Sequence, residues 1–230
     1  YNDINKKKKD FFIRYDIEKI KEIENAVIPY WFPPQKMMNV EDDTVPWGDN
    51  WRPGRNFRTV AELFTKRNLW ALSILFEKTN EMPREFQDIF KFALSSFLLN
   101  LSKLYKFRDT GGGQPTGNYY IPQVNRENEA WSAFERKFTD IVKGFQFLSK
   151  NIHSDELMVS TQTATNMNII SPNSVDFIFT DPPYAGKYQY GELNFIWEAW
   201  LALDTNWHSE EIIVNEYQGK SEADWAAMML

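Results

Sequence analysis

The sequence SVDFIFTDPPY, residues 174–184, decides how we expect the C-terminal part of this chain to fold. Residues 175–180 are rich in β-branched and aromatic side chains, which is typical of a buried strand. Pro182 and Pro183 cannot continue a ladder or a helix, because proline lacks the backbone N–H and has a fixed φ. The segment therefore predicts a strand that leaves its sheet as a rigid, extended loop.

The loop at residues 181–184 carries groups that suit a planar amine. The Pro182 carbonyl is held as a free acceptor beside the Asp181 carboxylate, and the Tyr184 ring lies next to both. An exocyclic base amine has two N–H donors, which a carboxylate and a carbonyl can accept together. An aromatic face can stack on a base that has been flipped out of its helix. The pattern thus indicates binding of a flipped base by its amino group.

Asp181-Pro182-Pro183-Tyr184 resembles the catalytic loop of the S-adenosylmethionine-dependent amino-methyltransferases of DNA, which reads Asp/Asn/Ser-Pro-Pro-Tyr/Phe after a hydrophobic strand. The resemblance implies that these four residues are catalytic, with Asp181 and Pro182 accepting from the amine and Tyr184 stacking on the base. The Asp form is more similar to adenine enzymes than to cytosine ones. The resemblance also implies S-adenosylmethionine as cofactor, DNA as partner and, as in restriction-modification systems, a cognate restriction component.

The following stretch, AGKYQYGELNFIW at residues 185–197, is similar to bacterial DNA methylases with large insertions between their cofactor and catalytic motifs. This similarity is weaker than that of the four-residue loop. It places Lys187, Tyr188 and Tyr190 directly after the loop, where we expect them to contact the substrate.

The charge is distributed unevenly along the chain. Residues 1–150 hold 24 Lys and Arg against 20 Asp and Glu, whereas residues 151–230 hold 2 against 12. Phosphate contacts must therefore come chiefly from the first part, in which Arg52, Arg55 and Arg58 form the tightest arginine set.

One part of the family pattern is absent from this sequence. The family carries a glycine-rich turn of Phe-x-Gly-x-Gly type after its first strand, followed by an acidic residue for the cofactor ribose. The glycine cluster at residues 111–117 follows a predicted helix and is interrupted by Pro115, which favours a surface loop. Cofactor-binding residues are thus unknown. The chain begins and ends inside helical patterns, so we expect an inactive piece of a longer protein whose cofactor half lies upstream of Tyr1.

The composition limits the class of protein. The chain has 230 residues, 43% of them hydrophobic, and contains no run of about eighteen apolar residues that could cross a membrane. The absence of cysteine excludes disulfides and thiolate metal sites. His153 and His208 are too isolated for a metal cluster, which favours surface or structural roles for both. We expect a soluble, cytoplasmic protein that binds no metal.

Helical periodicity dominates the first 150 residues. A capping box at residues 59–62 predicts a helix start. For the helix predicted over 127–150, helical spacing indicates a buried face that consists of Trp131, Phe134, Phe138, Ile141, Val142 and Phe145. The predicted helices are 4–25, 59–80, 83–106 and 127–150.

After residue 150 the pattern changes to predicted strands at 157–165 and 175–180 and a helix at 193–203. The predicted fold class is α/β. Residues 151–230 would be the catalytic part of a Rossmann-like methyltransferase sheet, and residues 1–150 a mainly helical insertion or substrate-recognition region.

Two other functions stay open on the sequence alone. Some RNA base amino-methyltransferases share the Asp-Pro-Pro-Tyr loop, although they tend to be compact. A non-catalytic helical module that binds nucleic acid and merely retains the loop is the second alternative.

Overall fold

The computed structural model describes residues 2–37, 57–109, 111–113, 121–151, 158–163 and 165–230. The α-helices are α1 (Asn2–Phe11), α2 (Ile17–Asn25), α3 (Lys66–Asn80), α4 (Arg84–Ser95), α5 (Leu98–Leu101), α6 (Ala130–Asn151), α7 (Tyr190–Trp200) and α8 (Glu222–Met229). The strands are β1 (Lys106–Arg108) and β2 (Gly111–Gly113). A π-helical turn covers Phe12–Asp16, and 3₁₀ helices cover Ala61–Leu63, Trp207–Glu210 and Glu216–Gln218.

The N-terminal helices form one continuous helical path. Phe11 and Ile17, which flank the π-helical turn, both keep right-handed helical φ and ψ. The helix predicted over residues 4–25 is therefore confirmed, with a π-helical turn in its middle that the sequence did not indicate.

Helix α3 begins later than predicted, and its N-cap is Thr65. The Thr65 hydroxyl accepts the backbone N–H of Asn68 at 3.3 Å, which satisfies a donor that the first turn leaves unpaired. The predicted capping box at residues 59–62 is wrong. Thr59 instead forms a bridge with Lys36, and the Glu62 carboxylate accepts the backbone N–H of Arg58. Because the backbone of Thr59 pairs with the distant Lys36, the helix begins only after this bridge.

The helix predicted over 83–106 is also shorter than expected, since α4 ends at Ser95 and α5 at Leu101. Strand β1 then pairs antiparallel with β2, with Phe107 opposite Gly112. The prediction of a helix before the glycine cluster is thus wrong, because a strand precedes it. Glycine is required at 112, where a Cβ would lie 2.0 Å from Cε1 of Tyr105.

Helix α7 packs into the same core as α3, α4 and α5. Trp200 is fully buried, with its ring centroid 4.9 Å from that of Phe76 and 5.6 Å from that of Phe64. The indole N–H of Trp197 donates to the Ser95 carbonyl at 2.9 Å. Truncating a buried ring of this kind lowers the free energy of unfolding by about 3–5 kcal/mol, so α7 is held firmly in the core and supports the loop that precedes it.

The division of the chain into two parts at residue 150 stays a prediction.

Helix α6 is buried only near its start. Ala130 and Ala133 are buried, and the Phe134 ring stacks on that of Phe90 with centroids 6.1 Å apart. Trp131, Val142 and Phe145 are exposed, so the prediction that these three belong to the buried face is wrong. The N-terminal half of α6 alone faces the core.

The strand predicted over residues 175–180 is not formed in the described chain. This stretch has neither helix nor ladder pairing, and Phe177, Ile178 and Phe179 are 81%, 74% and 87% exposed. Residues 158–163 of the other predicted strand are likewise unpaired, while Leu157 and Ala164 lie outside the described residues. A strand needs a neighbour for its backbone groups, and the described residues supply none at these positions.

At the level of fold class, the described residues combine helices with one small antiparallel sheet, β1–β2. This mixture is compatible with an α/β protein. Within the described ranges no Rossmann-like sheet is formed.

Candidate active site

The loop at residues 181–184 lies at the protein surface and is organised by an internal hydrogen bond. The Tyr184 hydroxyl donates to Oδ1 of Asp181 at 3.0 Å. In the part of the chain that the structure describes, Oδ2 of Asp181 meets no donor and faces solvent together with Pro182. The loop therefore presents one carboxylate oxygen and an exposed aromatic ring.

The same hydrogen bond makes the Tyr184 phenol less acidic. The bond to Asp181, together with the negative charge of that carboxylate, raises the pKa of the phenol above its ordinary value. The hydroxyl keeps its proton and acts as the donor in this bond. Asp181 consequently keeps its acceptor role toward an external amine through its other oxygen.

A tight turn ends the loop. The Lys187 N–H donates to the Tyr184 carbonyl at 2.9 Å, and Ala185 has φ of 48° in the left-handed region. A positive φ at the first central position is the feature of a type II′ turn, where a residue with a Cβ is strained. The turn sends the chain back along the loop toward α7.

The turn brings the other predicted substrate-binding residues next to the loop. The Tyr184 and Tyr188 ring centroids are 6.1 Å apart, as are those of Tyr188 and Tyr190. Lys187 Nζ lies 5.7 Å from the Tyr188 ring centroid, which is cation–π distance. Three aromatic rings and one cation thus form a continuous row that begins at the loop.

Of the predicted arginine set, the structure describes Arg58, which is not brought to this row. Arg52 and Arg55 lie outside the described residues. Arg58 is half-buried, its carbonyl accepts the Met37 N–H, and in the described ranges no contact joins it to residues 181–190. The arginine set stays a prediction.

A polar cluster that the sequence did not single out supports the loop through hydrogen bonds. Gln189 Nε2 donates to the Gly186 carbonyl at 3.3 Å and to the Val214 carbonyl at 3.2 Å. Asn215 Nδ2 donates to Gln189 Oε1 at 2.6 Å. The only signal in the sequence is that each of these amides interrupts an apolar or aromatic stretch.

A second cluster fixes the start of α7. The Gly191 N–H donates to Glu211 Oε1 at 2.7 Å, and a Cβ at Gly191 would lie 2.3 Å from Nδ1 of His208. Glycine is therefore required there. The Lys220 ammonium donates to the His208 and Glu211 carbonyls at 2.7 and 2.6 Å, which ties this cluster to the C-terminal segment.

His208 is a partly buried residue of that cluster. Its Nε2 lies 3.8 Å from Oε2 of Glu198, and neither atom has a hydrogen-bond partner in the described structure. Burial lowers the pKa of His208. Burial raises the pKa of Glu198, and a hydrogen bond from Trp207 opposes this shift in part. His153 lies outside the described residues. Across the described ranges, no group of three or more His, Cys, Asp or Glu side chains is placed to hold a metal ion.

The described glycines of the cluster at residues 111–117 lie against neighbouring side chains. Gly112 is covered by the Tyr105 ring, and a Cβ at Gly113 would lie 3.3 Å from the Arg108 guanidinium carbon. These glycines accommodate neighbouring side chains. The residues that bind the cofactor therefore stay unassigned.

No family model matches the chain, and no curated protein or solved structure matches it either. Among the helices that the structure describes, none combines the length and apolar character needed to span a membrane.

Proposed function

We propose that this chain is the base-binding part of an S-adenosylmethionine-dependent DNA amino-methyltransferase, with adenine N6 as the favoured target. The observation that supports the proposal is the pairing of Asp181 with Tyr184. This pairing leaves one carboxylate oxygen and one aromatic face exposed beside Pro182, as a flipped base with an exocyclic amine requires.

In the proposed complex, Asp181 Oδ2 and the Pro182 carbonyl accept the two N–H groups of the base amine. Pro183 fixes the backbone between these acceptors and Tyr184, because its φ is restricted. The Tyr184 ring stacks on the base, and the Tyr188 and Tyr190 rings continue the aromatic row toward neighbouring nucleotides.

The electrostatics restrict where the DNA backbone can lie. Residues 151–230 contain only Lys187 and Lys220 against 12 acidic residues, and Lys220 already donates to two carbonyls. Lys187 is thus the phosphate contact that we propose near the loop, and Arg52, Arg55 and Arg58 are proposed to supply the rest. A Rossmann-like sheet, the catalytic part at 151–230, a cytoplasmic location and a cognate restriction component belong to the same proposal.

The test is methyl transfer by the full-length protein. Labelled S-adenosylmethionine is supplied with double-stranded DNA or with RNA, and the modified nucleoside is identified. We expect N6-methyladenine in DNA. Label in RNA alone would favour the RNA methyltransferase alternative, and label in neither would contradict both.

Asp181→Ala is the variant that ties this activity to the loop. We expect at least about a hundredfold loss of turnover, because a transition-state acceptor is removed. Asp176→Ala is the matched control, since Asp176 is an exposed carboxylate of the same segment outside the loop, and it should keep wild-type turnover. Retention of more than about a tenth of turnover by Asp181→Ala contradicts the proposed role.

A further inference from the structure

The loop at 181–184 and the turn that follows it, together residues 181–187, are exposed, yet a single amide side chain anchors them on one side. Gln189 is the N-cap residue of α7, but its side chain caps no helical N–H. It reaches back instead and donates both N–H groups, one to Gly186 of the loop and one to Val214. One planar group therefore cross-links two segments that are 28 residues apart in sequence.

The acceptor side of Gln189 is also used. Oε1 accepts Nδ2 of Asn215 at 2.6 Å, so both donors and the oxygen of the amide are engaged. An amide with all these groups satisfied has one preferred orientation, because flipping it would place Oε1 against two carbonyl oxygens. The position of Gly186 is thus fixed through Gln189 by Asn215.

Asn215 is itself held firmly. It is 5% exposed, and its backbone N–H and carbonyl both pair with Lys220, at 3.0 and 2.9 Å. Its side-chain oxygen accepts the Gln218 N–H at 3.2 Å. Asn215 therefore belongs to a closed turn and can act as a rigid anchor for Gln189.

Packing supports the same connection independently of the amide hydrogen bonds. A Cβ at Gly186 would lie 3.4 Å from both the Cβ and the carbonyl oxygen of Val214. The loop backbone thus rests directly on the segment that precedes Asn215.

We propose that Gln189 and Asn215 are positioning residues for the loop at 181–187, an inference whose catalytic part rests on the proposed function. Neither contacts the base in this scheme. They hold Gly186, and through the turn between Tyr184 and Lys187 they hold the Asp181 and Tyr184 side chains in place. A misplacement of reacting groups by about 1 Å can cost on the order of a hundredfold in rate.

The test combines hydrogen exchange with turnover in the full-length protein. Gln189→Met keeps the length of the side chain and removes all three hydrogen bonds. Asn215→Asp keeps the acceptor for Gln218 and removes the donor to Gln189; it also replaces the 3.4 Å hydrogen bond to Glu192 Oε1 by two facing carboxylates, so Gln189→Met is the variant that decides. Gln87→Met is the matched control, because Gln87 Nε2 also donates to two carbonyls, those of Asn80 and Met82, in the connection between α3 and α4.

We expect Gln189→Met and Asn215→Asp to raise amide exchange in residues 184–188 by about tenfold or more. Trypsin should also cleave faster after Lys187. The value of kcat should fall by about tenfold or more with a change of less than about threefold in the KM for DNA, since base positioning rather than DNA affinity is lost. Gln87→Met should change none of these quantities, and melting temperatures establish that each variant is folded.

Each contrary outcome has a distinct meaning. Unchanged exchange and cleavage in folded Gln189→Met would overturn the anchoring role of the amides. Faster exchange with unchanged kcat would overturn their role in positioning. If the wild-type protein transfers no methyl group, the proposed function fails, and exchange alone then decides whether Gln189 and Asn215 order the loop.

Discussion

At Tyr184 one side chain supplies both a stacking face and a hydrogen bond. The ring is half exposed and available to a base, while the hydroxyl orients Asp181 at 3.0 Å. The two contributions can be separated by substitution, because phenylalanine keeps the ring and loses only the hydroxyl.

We expect Tyr184→Ala to weaken productive base binding by about 1–3 kcal/mol, since the stacking face is lost. Tyr184→Phe should lose only an exposed hydrogen bond, which is worth about 0.5–1.5 kcal/mol at most. The measurement is kcat/KM for methyl transfer by the full-length protein. Equal losses in the two variants would show that the hydroxyl, and not the ring, is the main contribution of Tyr184.

Glu198 leads to a prediction about pH. Burial raises its pKa above the ordinary value of 4.5, so the folded state binds this proton more tightly than the unfolded state. The stability from Glu198 is therefore complete below the ordinary pKa and is lost as pH rises through the raised pKa. Glu198→Gln cannot ionise and keeps an amide oxygen for Trp207.

The free energy of unfolding of Glu198→Gln relative to wild type should thus increase as the pH rises above the ordinary carboxyl pKa of 4.5. Urea unfolding of both proteins at several pH values measures this difference. His208 has the opposite dependence, because burial lowers its pKa, and it lies 3.8 Å from Glu198. The comparison is therefore also made in a His208→Asn background, which removes the titration of His208. Glu211, Lys220 and Asp204 also act on His208 and are unchanged. A difference that does not vary with pH would contradict the prediction.

At the scale of single elements, periodicity predicted that helices occur and tertiary pairing decided where they begin. The stripes of α3, α4 and α7 could be read from local spacing. The start of α3 could not, because the bridge between Lys36 and Thr59 joins segments that are distant in sequence. The bridge holds Thr59 in extended pairing, and Thr65 caps the helix instead.

The same distinction applies to the candidate site. Its four-residue core could be predicted because proline geometry is covalent and local. The support by Gln189 and Asn215 could not, since these residues are 26 apart and meet only through the turn that closes at Lys220. The unpaired stretch at 175–180 was mispredicted because strand propensity does not reveal whether a partner strand is present.

The cap of α3 can be tested directly. Thr65 accepts the Asn68 N–H and donates to Glu127 Oε1 at 2.6 Å. Thr65→Ala should therefore lower the free energy of unfolding by about 1–2 kcal/mol, whereas Thr65→Ser should keep both hydrogen bonds and most of the stability. Thr59→Ala is the comparison at the rejected cap position, and urea unfolding is the measurement. A larger loss at Thr59 than at Thr65 would contradict the observed start of α3.

For the molecule as a whole, the described structure differs from the sheet that the proposed function requires at one place, the exposed apolar stretch at 177–179. A central strand of a Rossmann-like sheet is covered on both faces, so Phe179 would be buried there. In the structure it is 87% exposed, whereas Phe97 in the core is fully buried. The stability effects of substitution at these two positions should therefore differ strongly.

Phe179→Asp in residues 1–230 should change the free energy of unfolding by less than about 0.5 kcal/mol, because the side chain contacts mainly solvent. Phe97→Ala is the control for a core position and should cost about 3–5 kcal/mol. Urea unfolding of both variants and wild type gives the comparison. A loss of about 3 kcal/mol or more for Phe179→Asp would show that the ring is buried in solution, since a charge would then be placed in an apolar site. That outcome would contradict the exposed stretch and favour a strand at residues 175–180.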